Sequence, residues 1–246
     1  MSAAQRIAMW SGPRNISTAM MRSWENREDC VVCDEPLYAY FLKRTGLPHP
    51  GAAEVIEAHE SDWERVTQQL TGPIPEGASI YYQKQMAHHL LPEIDRGWLD
   101  ALTHVFLIRN PREMIASYLQ RRDEIELEDT GLPQQLEIFE RVLERSGELP
   151  PVIDSTDVLR DPRGMLGALC ARLGLPFSDR MLEWPAGKRT TDGVWAKHWY
   201  DAVEASTAFQ PYRPKEVVLD DEQERLAERC EPLYRKLHDV RMVLTP

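Results

Sequence analysis

The sequence predicts an α/β fold of three layers, a mostly parallel central sheet with helices on both of its faces. Two observations lead there. Five apolar runs of strand length, residues 6–10, 30–33, 79–83, 103–108 and 151–153, are separated by helix-length segments rather than by tight hairpin turns. Right-handed crossovers between parallel strands then put helices above and below the sheet. Polar residues also follow each run, as expected where strands deliver side chains to one rim.

The first run, RIAMW at 6–10, passes through a turn at 11–16. Ser17 or Thr18 is expected to cap a helix reaching about Trp24. Residues 30–33 form the second strand, and residues 37–42 a helix that stops before Gly46 and Pro48. A third strand is expected at 79–83, after the Pro/Gly-rich stretch 72–77. The run THVFLI at 103–108 gives the clearest strand. Beyond it Asn110 supplies a cap, Pro111 suits the first helical position, and Glu113 stands where a capping box needs an acid. That helix is expected to pass Ser117 and Tyr118 and end near Arg122. Asp161 and Pro162 open a later helix with the apolar stripe Met165, Leu166, Leu169, Cys170 and Leu173, ended by Gly174. Leu226, Cys230, Leu233 and Leu237 mark a last helix that Pro232 is expected to bend.

Composition excludes several classes. Acidic residues number 40 against 29 lysines and arginines, a formal charge of −11. Broad nucleic-acid or anionic-membrane binding is not expected, although a local anion site is compatible with that balance. No run approaches the roughly 20 apolar residues of a membrane span, and the N-terminus lacks the regions of a secretory signal. Four cysteines are too few for a disulfide scaffold, so a cytoplasmic protein is expected. Cys30 and Cys33 have C-x-x-C spacing, but Val31 and Val32 suit a buried strand whose alternation sends the sulfurs to opposite faces. The histidines are too dispersed to specify a metal centre, and no metal is expected.

Several rim residues carry possible chemistry. Gly12 permits close backbone approach, Pro13 stiffens the turn, and Arg14, Ser17 and Thr18 can surround an anion at a helix N-terminus. The second glycine and terminal lysine of a Walker A loop are missing, and a plain strand–loop–helix junction is the alternative. Arg109, at the edge of the 103–108 strand, can extend into a crevice or serve a structural ion pair. Ser117 can approach the same anion or be an ordinary helix hydroxyl. Glu35 is the stronger candidate base: burial would raise its pKa, and Arg14 or Lys84 would oppose the rise. Capping or a salt bridge is the alternative for Asp34 and Glu35. His88 and His89 can also accept a proton near neutral pH, or simply lie on a helix side.

SGPRNISTAMMRSW at 11–24 resembles the 5′-phosphosulfate loop of sulfotransferases, and IRNPREMIASY at 108–118 resembles their 3′-phosphate motif. DSTDVLRDPRGMLGALCARLGLPF at 154–177 is similar to the family's acidic segment, helix and Gly-Leu-Pro ending. These segments follow one another in family order. The resemblance implies a fold like that of P-loop nucleoside triphosphate hydrolases, with 3′-phosphoadenosine 5′-phosphosulfate as sulfuryl donor. The acceptor would be a hydroxyl or amine of a small molecule or carbohydrate. It also implies that Arg14, Asn15, Ser17 and Thr18 surround the 5′-phosphosulfate while Arg109 and Ser117 hold the 3′-phosphate. Lys84, in YYQKQMAHHLLP at 81–92, resembles the lysine of the family's central active-site segment. Lys84 and Arg14 would offset charge during transfer, with Glu35, His88 or His89 as base. The chain departs from the family's common lysine at Arg14, its glycine at Ile16, and the histidine that many members have at the position of Met86.

GKRTTDGVWAKHWYDAV at 187–203 is similar to the family's segment that closes over the adenosine, which makes Gly193, Trp195 and Lys197 a donor lid. The resemblance thus implies one sulfotransferase-like domain over 1–246, with acceptor-side excursions at 43–78 and 123–149. Two other classes stay open at this point: a nucleotide-dependent, kinase-like phosphotransferase, and a noncatalytic phosphonucleotide-binding protein. Acceptor identity and oligomeric state are not legible.

Overall fold

Alternation along parallel strands sorts the core into two layers. The computed structural model describes residues 4–244 apart from 76, 121, 123 and 215; Asp123, the first residue of the acidic excursion, lies outside them. β1 (Gln5–Ser11), β2 (Cys30–Asp34), β3 (Ile80–Met86), β4 (Thr103–Ile108) and β5 (Val152–Asp154) form one parallel sheet in the order β2-β3-β1-β4-β5. α1 (Ser17–Glu25) joins β1 to β2, and α2 (Tyr38–Thr45), α3 (Ala52–Ala58) and α4 (Trp63–Thr71) lead to β3. α5 (Pro111–Tyr118) and α6 (Leu132–Ser146) join β4 to β5. After β5 come α7 (Ser155–Arg160), α8 (Pro162–Arg172), α9 (Ala196–Trp199), α10 (Asp201–Glu204) and α11 (Asp221–His238).

Successive strand residues face opposite sides. Ile7, Met9, Val105 and Leu107 therefore pack with Met20, Met21 and Trp24 of α1 and with the stripe of α8. Ala8, Trp10, Phe106 and Ile108 pack on the other side with Ile115 of α5, Phe139 of α6 and Cys230 and Leu237 of α11. Cys30 and Cys33 fall on opposite faces, and burial pushes their thiols up to about 12 and about 11. A third cluster joins Tyr38 and Phe41 of α2 and Val55 of α3 to Trp195 and Tyr200. The helix after β1 lies on one face of the sheet and those after β4 on the other, which opens a crevice at the carboxyl rim.

Several boundaries differ from the sequence reading, each for a local reason. Ser17 and Thr18 lie inside α1; its cap is Ile16, whose N–H donates to Asn15 Oδ1 at 2.9 Å. β3 continues to Met86, because its ladder with β1 runs on through Lys84, Gln85 and Met86, and the Lys84 ammonium in it is met by Asp34 of β2. α5 ends at Tyr118, short of Arg122. Asn110 caps it by accepting from the N–H groups of Arg112 and Glu113, but the Glu113 carboxylate pairs with Arg109 instead of closing a capping box. α11 runs on through Pro232, and its capping box is formed by Asp220 and Gln223. Among the described residues, no helix is long and apolar enough to cross a membrane.

The 123–149 segment has a mechanical part to play. Leu136 and Phe139 anchor α6 in the core, and the chain before α6 presses on the loop after β1. A Cβ added to Gly12 would lie 2.3 Å from the carbonyl oxygen of Thr130, a distance that backbone cannot relieve cheaply. Gly12 thus serves close approach of protein to protein. Gly12→Ala is expected to destabilise the chain by about 1–3 kcal/mol, read as a lower urea midpoint; an unchanged midpoint would show that Thr130 moves freely.

Candidate active site

The polar ends of the strands converge on one cavity of about 510 Å³ at the carboxyl rim. Arg14, Asn15, Ser17, Thr18, Glu35, Lys84, His88, His89, Arg109, Ser117 and Trp195 all line it. Among the described residues, Arg14 (φ 53°) and Glu35 (φ 41°) are the non-glycine positions with left-handed backbone, and both face this cavity. Such strain costs about 1–3 kcal/mol per residue and persists where the surroundings enforce it.

On one side of the cavity the β1 loop meets α5. Arg14 Nε donates to Ser117 Oγ at 3.2 Å, and the Arg109 guanidinium donates to the Arg14 carbonyl oxygen. Arg109 also pairs with Glu113 at 3.1 Å, and Glu113 accepts from the Tyr212 hydroxyl at 2.7 Å. The Asn15 amide nitrogen donates to the Leu107 carbonyl at 3.0 Å. With its oxygen taken by Ile16, the Asn15 amide fixes the loop path against β4. Ser17 and Thr18 open α1, where first-turn N–H groups have no intrahelical acceptor.

On the other side Lys84 is fully buried between two carboxylates. Its ammonium donates to Asp34 at 2.9 Å, to Glu35 at 2.5 Å and to the Tyr200 hydroxyl at 2.7 Å. Burial opposes the charge on Lys84, but Asp34 and Glu35 outweigh it and hold its pKa well above the usual lysine value. Burial also raises the pKa of Glu35, against the pull of Lys84. Asp34 and Tyr200 were not singled out as site residues from the sequence. The only signal was indirect, an acid beside Glu35 and a tyrosine in an aromatic segment.

The two histidines reach the cavity inside an aromatic stack. His89 stacks on Tyr38 at 4.8 Å and on Phe41 at 4.6 Å. Burial lowers the pKa of His88 to about 3 and that of His89 well below its ordinary value. Both rings are neutral at physiological pH, and proton acceptance by either is disfavoured. In the 187–203 segment, Trp195 is buried and lines the cavity, while Lys197 points away and pairs with Glu54 at the surface. Gly193 is required by close approach, since a Cβ there would lie 2.2 Å from the Trp195 ring. Among the described residues, no cluster of three or more His, Cys, Asp or Glu side chains is placed to hold a metal ion.

A sulfotransferase-domain family model matches residues 5–240 of the chain. The chain belongs to the sulfotransferase domain family. Two Arabidopsis thaliana proteins called branched-chain-amino-acid aminotransferase-like are similar to it. Protein 2 is 34% identical over 233 residues, 94% of this chain and 41% of that protein. Protein 1 is 35% identical over 238 residues, 96% and 42% respectively. This sulfotransferase domain thus spans less than half the length of those relatives. Its fold is similar to a sulfotransferase from Alicyclobacillus acidocaldarius, with a TM-score of 0.54 at 14% identity over 98% of both chains. The sulfotransferase domain of the curacin biosynthetic pathway gives 0.51 at 16% identity, covering 94% of this chain and 99% of that one. The parallel five-stranded sheet with helices around it matches the P-loop-like α/β fold of these sulfotransferases.

The buried imidazoles make stability depend on pH. A histidine whose pKa is lowered by folding stabilises the native state above its unfolded value, and that contribution is lost as pH falls. Between pH 6.5 and the value of about 3 for His88, the unfolded chain takes up a proton that the native chain refuses. Stability is expected to fall by about 1.4 kcal/mol per pH unit for each such ring. Denaturant titrations at pH 7, 6 and 5 check this: His88→Phe should flatten the slope by one proton, and an unchanged slope would contradict the buried neutral state.

Proposed function

We propose that this domain transfers a sulfuryl group from 3′-phosphoadenosine 5′-phosphosulfate to a hydroxyl or amine of a small-molecule or carbohydrate acceptor. The observation that carries the reading is the convergence of the Arg14 loop, Lys84 and the Arg109–Ser117 pair on one cavity. Strand order supports a direction for the donor. Arg109 follows β4, on one side of the β1 loop, whereas Lys84 and Glu35 stand on β3 and after β2, on the other. The 3′-phosphate would meet Arg109 and Ser117, and the sulfuryl group would face Lys84.

The chemistry then follows from charge. The acceptor attacks sulfur opposite the bridging oxygen; the new bond to sulfur forms as the bond from sulfur to that oxygen breaks. Glu35 takes the acceptor proton, and the raised proton affinity from burial makes it a better base than an exposed carboxylate. Lys84, Arg14 and the first N–H groups of α1 offset charge on the transferring group and on the departing bisphosphate. Trp195 and the backbone around Gly193 would cover the donor, without the Lys197 contact. Within the domain, the 43–78 segment brings His49 to the cavity wall, consistent with an acceptor side, while 123–149 supports the β1 loop.

Calorimetric titration with the 3′,5′-bisphosphate product tests the donor site. Arg109→Ala should weaken binding at least about tenfold, in line with loss of a charge-assisted contact, while the chain stays folded with a modest drop in melting temperature from loss of the Arg14 and Glu113 contacts. Equal affinity would remove Arg109 from the site. With donor and an acceptor panel, Glu35→Gln should lower turnover about 10²–10⁴-fold with product affinity retained. Turnover of ATP in place of the sulfonated donor would favour a phosphotransferase instead.

A further inference from the structure

Two carboxylates sharing one buried ammonium need not share one role. We propose that Asp34 and the Tyr200 hydroxyl are positioning residues that hold Lys84 in place, leaving Glu35 as the carboxylate able to exchange partners. This rests on the reading that Glu35 serves as base and Lys84 faces the sulfuryl group, and it divides the labour within that site.

The hydrogen bonds separate the two acids. Asp34 is buried, and its oxygens accept from Lys84 at 2.9 Å, from the Tyr200 hydroxyl at 2.7 and 2.9 Å, and from the Gly193 N–H at 3.3 Å. Tyr200 has a single proton. Its oxygen accepts from Lys84 at 2.7 Å and from the Trp195 indole at 3.2 Å, so the proton goes to Asp34. Turning Asp34 away would break contacts to three residues on two separate segments of chain, Lys84 on β3 and Gly193 and Tyr200 in the 192–200 segment. Glu35 also meets Lys84 and the Tyr200 hydroxyl, but unlike Asp34 it lines the cavity, and it is held at the end of β2 by left-handed backbone whose N–H donates to the Lys84 carbonyl at 3.0 Å.

Charge balance favours the same division. When Glu35 takes a proton, Lys84 loses one of its two anionic partners, but Asp34 remains as its counter-ion. No uncompensated buried charge is created, which would otherwise cost far more than the exchange itself. The 192–200 segment is held firmly enough for this task. Asp192 pairs with the buried Arg22 of α1 at 2.6 Å, and the Lys84 ammonium lies 5.1 Å from the Tyr200 ring centroid.

The groups that face Glu35 are Asp34 on β2, Lys84 on β3, Tyr38 on α2, Tyr118 on α5 and Tyr200 following α9. Of these, Asp34 contributes a like charge that raises the proton affinity of Glu35. The test is a carbon-13 titration of glutamate-labelled protein, with the Glu35 signal assigned by Glu35→Gln. Asp34→Asn should lower the Glu35 midpoint by about one pH unit and move the ascending limb of kcat/KM with it. A purely structural Asp34 would lower activity at every pH and leave that midpoint where it was, which would overturn the proposal. Tyr200→Phe keeps the ring over the ammonium and removes only the hydroxyl. It should cut kcat about tenfold with donor KM within about threefold; parental kcat would equally overturn the proposal. Titration calorimetry with the bisphosphate product reports separately on the donor site. If the parent chain fails to bind it, the sulfotransferase reading falls, while the carbon-13 midpoints still decide which acid is fixed.

Discussion

The site is organised around one buried ammonium. Lys84 lies within a parallel sheet, where an unpaired charge would be strongly disfavoured, and its three partners come from two distant places in the chain: Asp34 and Glu35 at the end of β2, and Tyr200 far beyond β5. Breaking a buried pair by removing one member typically costs about 3–5 kcal/mol. That constraint keeps the edge strand β2 in register with β3, draws the 193–200 segment onto the rim, and places Trp195 against the cavity. The same contacts that hold the fold together there set the charge available for chemistry.

A second set of constraints fixes the β1 loop. Thr130 presses on Gly12, Asn15 ties the loop to the Leu107 carbonyl, and Arg109 holds the Arg14 carbonyl. Arg14 is thereby kept in left-handed backbone with its guanidinium on Ser117. The loop reaches this shape without the glycine that the family commonly has at the position of Ile16. Its rigidity comes from the Leu107 carbonyl of β4, from the side chains of Arg109 and Ser117, and from Thr130 in the segment before α6, so that segment supports the β1 loop from behind.

Much of the architecture was legible because burial imposes a period of two on strands. THVFLI read as 103–108 is β4 without change, and the C-x-x-C pair divides between faces as alternation requires. Arg14, Lys84, Arg109 and Ser117 were recognisable from motif order and do meet at one rim. What escaped the sequence depended on distant partners. Asp34 and Tyr200 are 166 residues apart, and no local pattern links them. Lys197 was read with Gly193 and Trp195 as part of a donor lid, but its ammonium pairs with Glu54 on α3 and it is not among the residues lining the cavity. Glu113 fitted a capping box by spacing alone, and the nearby Arg109 cation captured its carboxylate. His88 and His89 read as bases because a free imidazole titrates near neutrality; enclosure by Tyr38 and Phe41 takes that property away.

The most direct measurement is a crystal structure of the chain with 3′-phosphoadenosine 5′-phosphate. The account predicts the 3′-phosphate on Arg109 and Ser117, the 5′-phosphate over the Arg14 loop beside Lys84, and the Lys84–Asp34–Tyr200 contacts retained. A ligand bound elsewhere, or phosphates lying apart from both Lys84 and Arg109 within the same cavity, would contradict it.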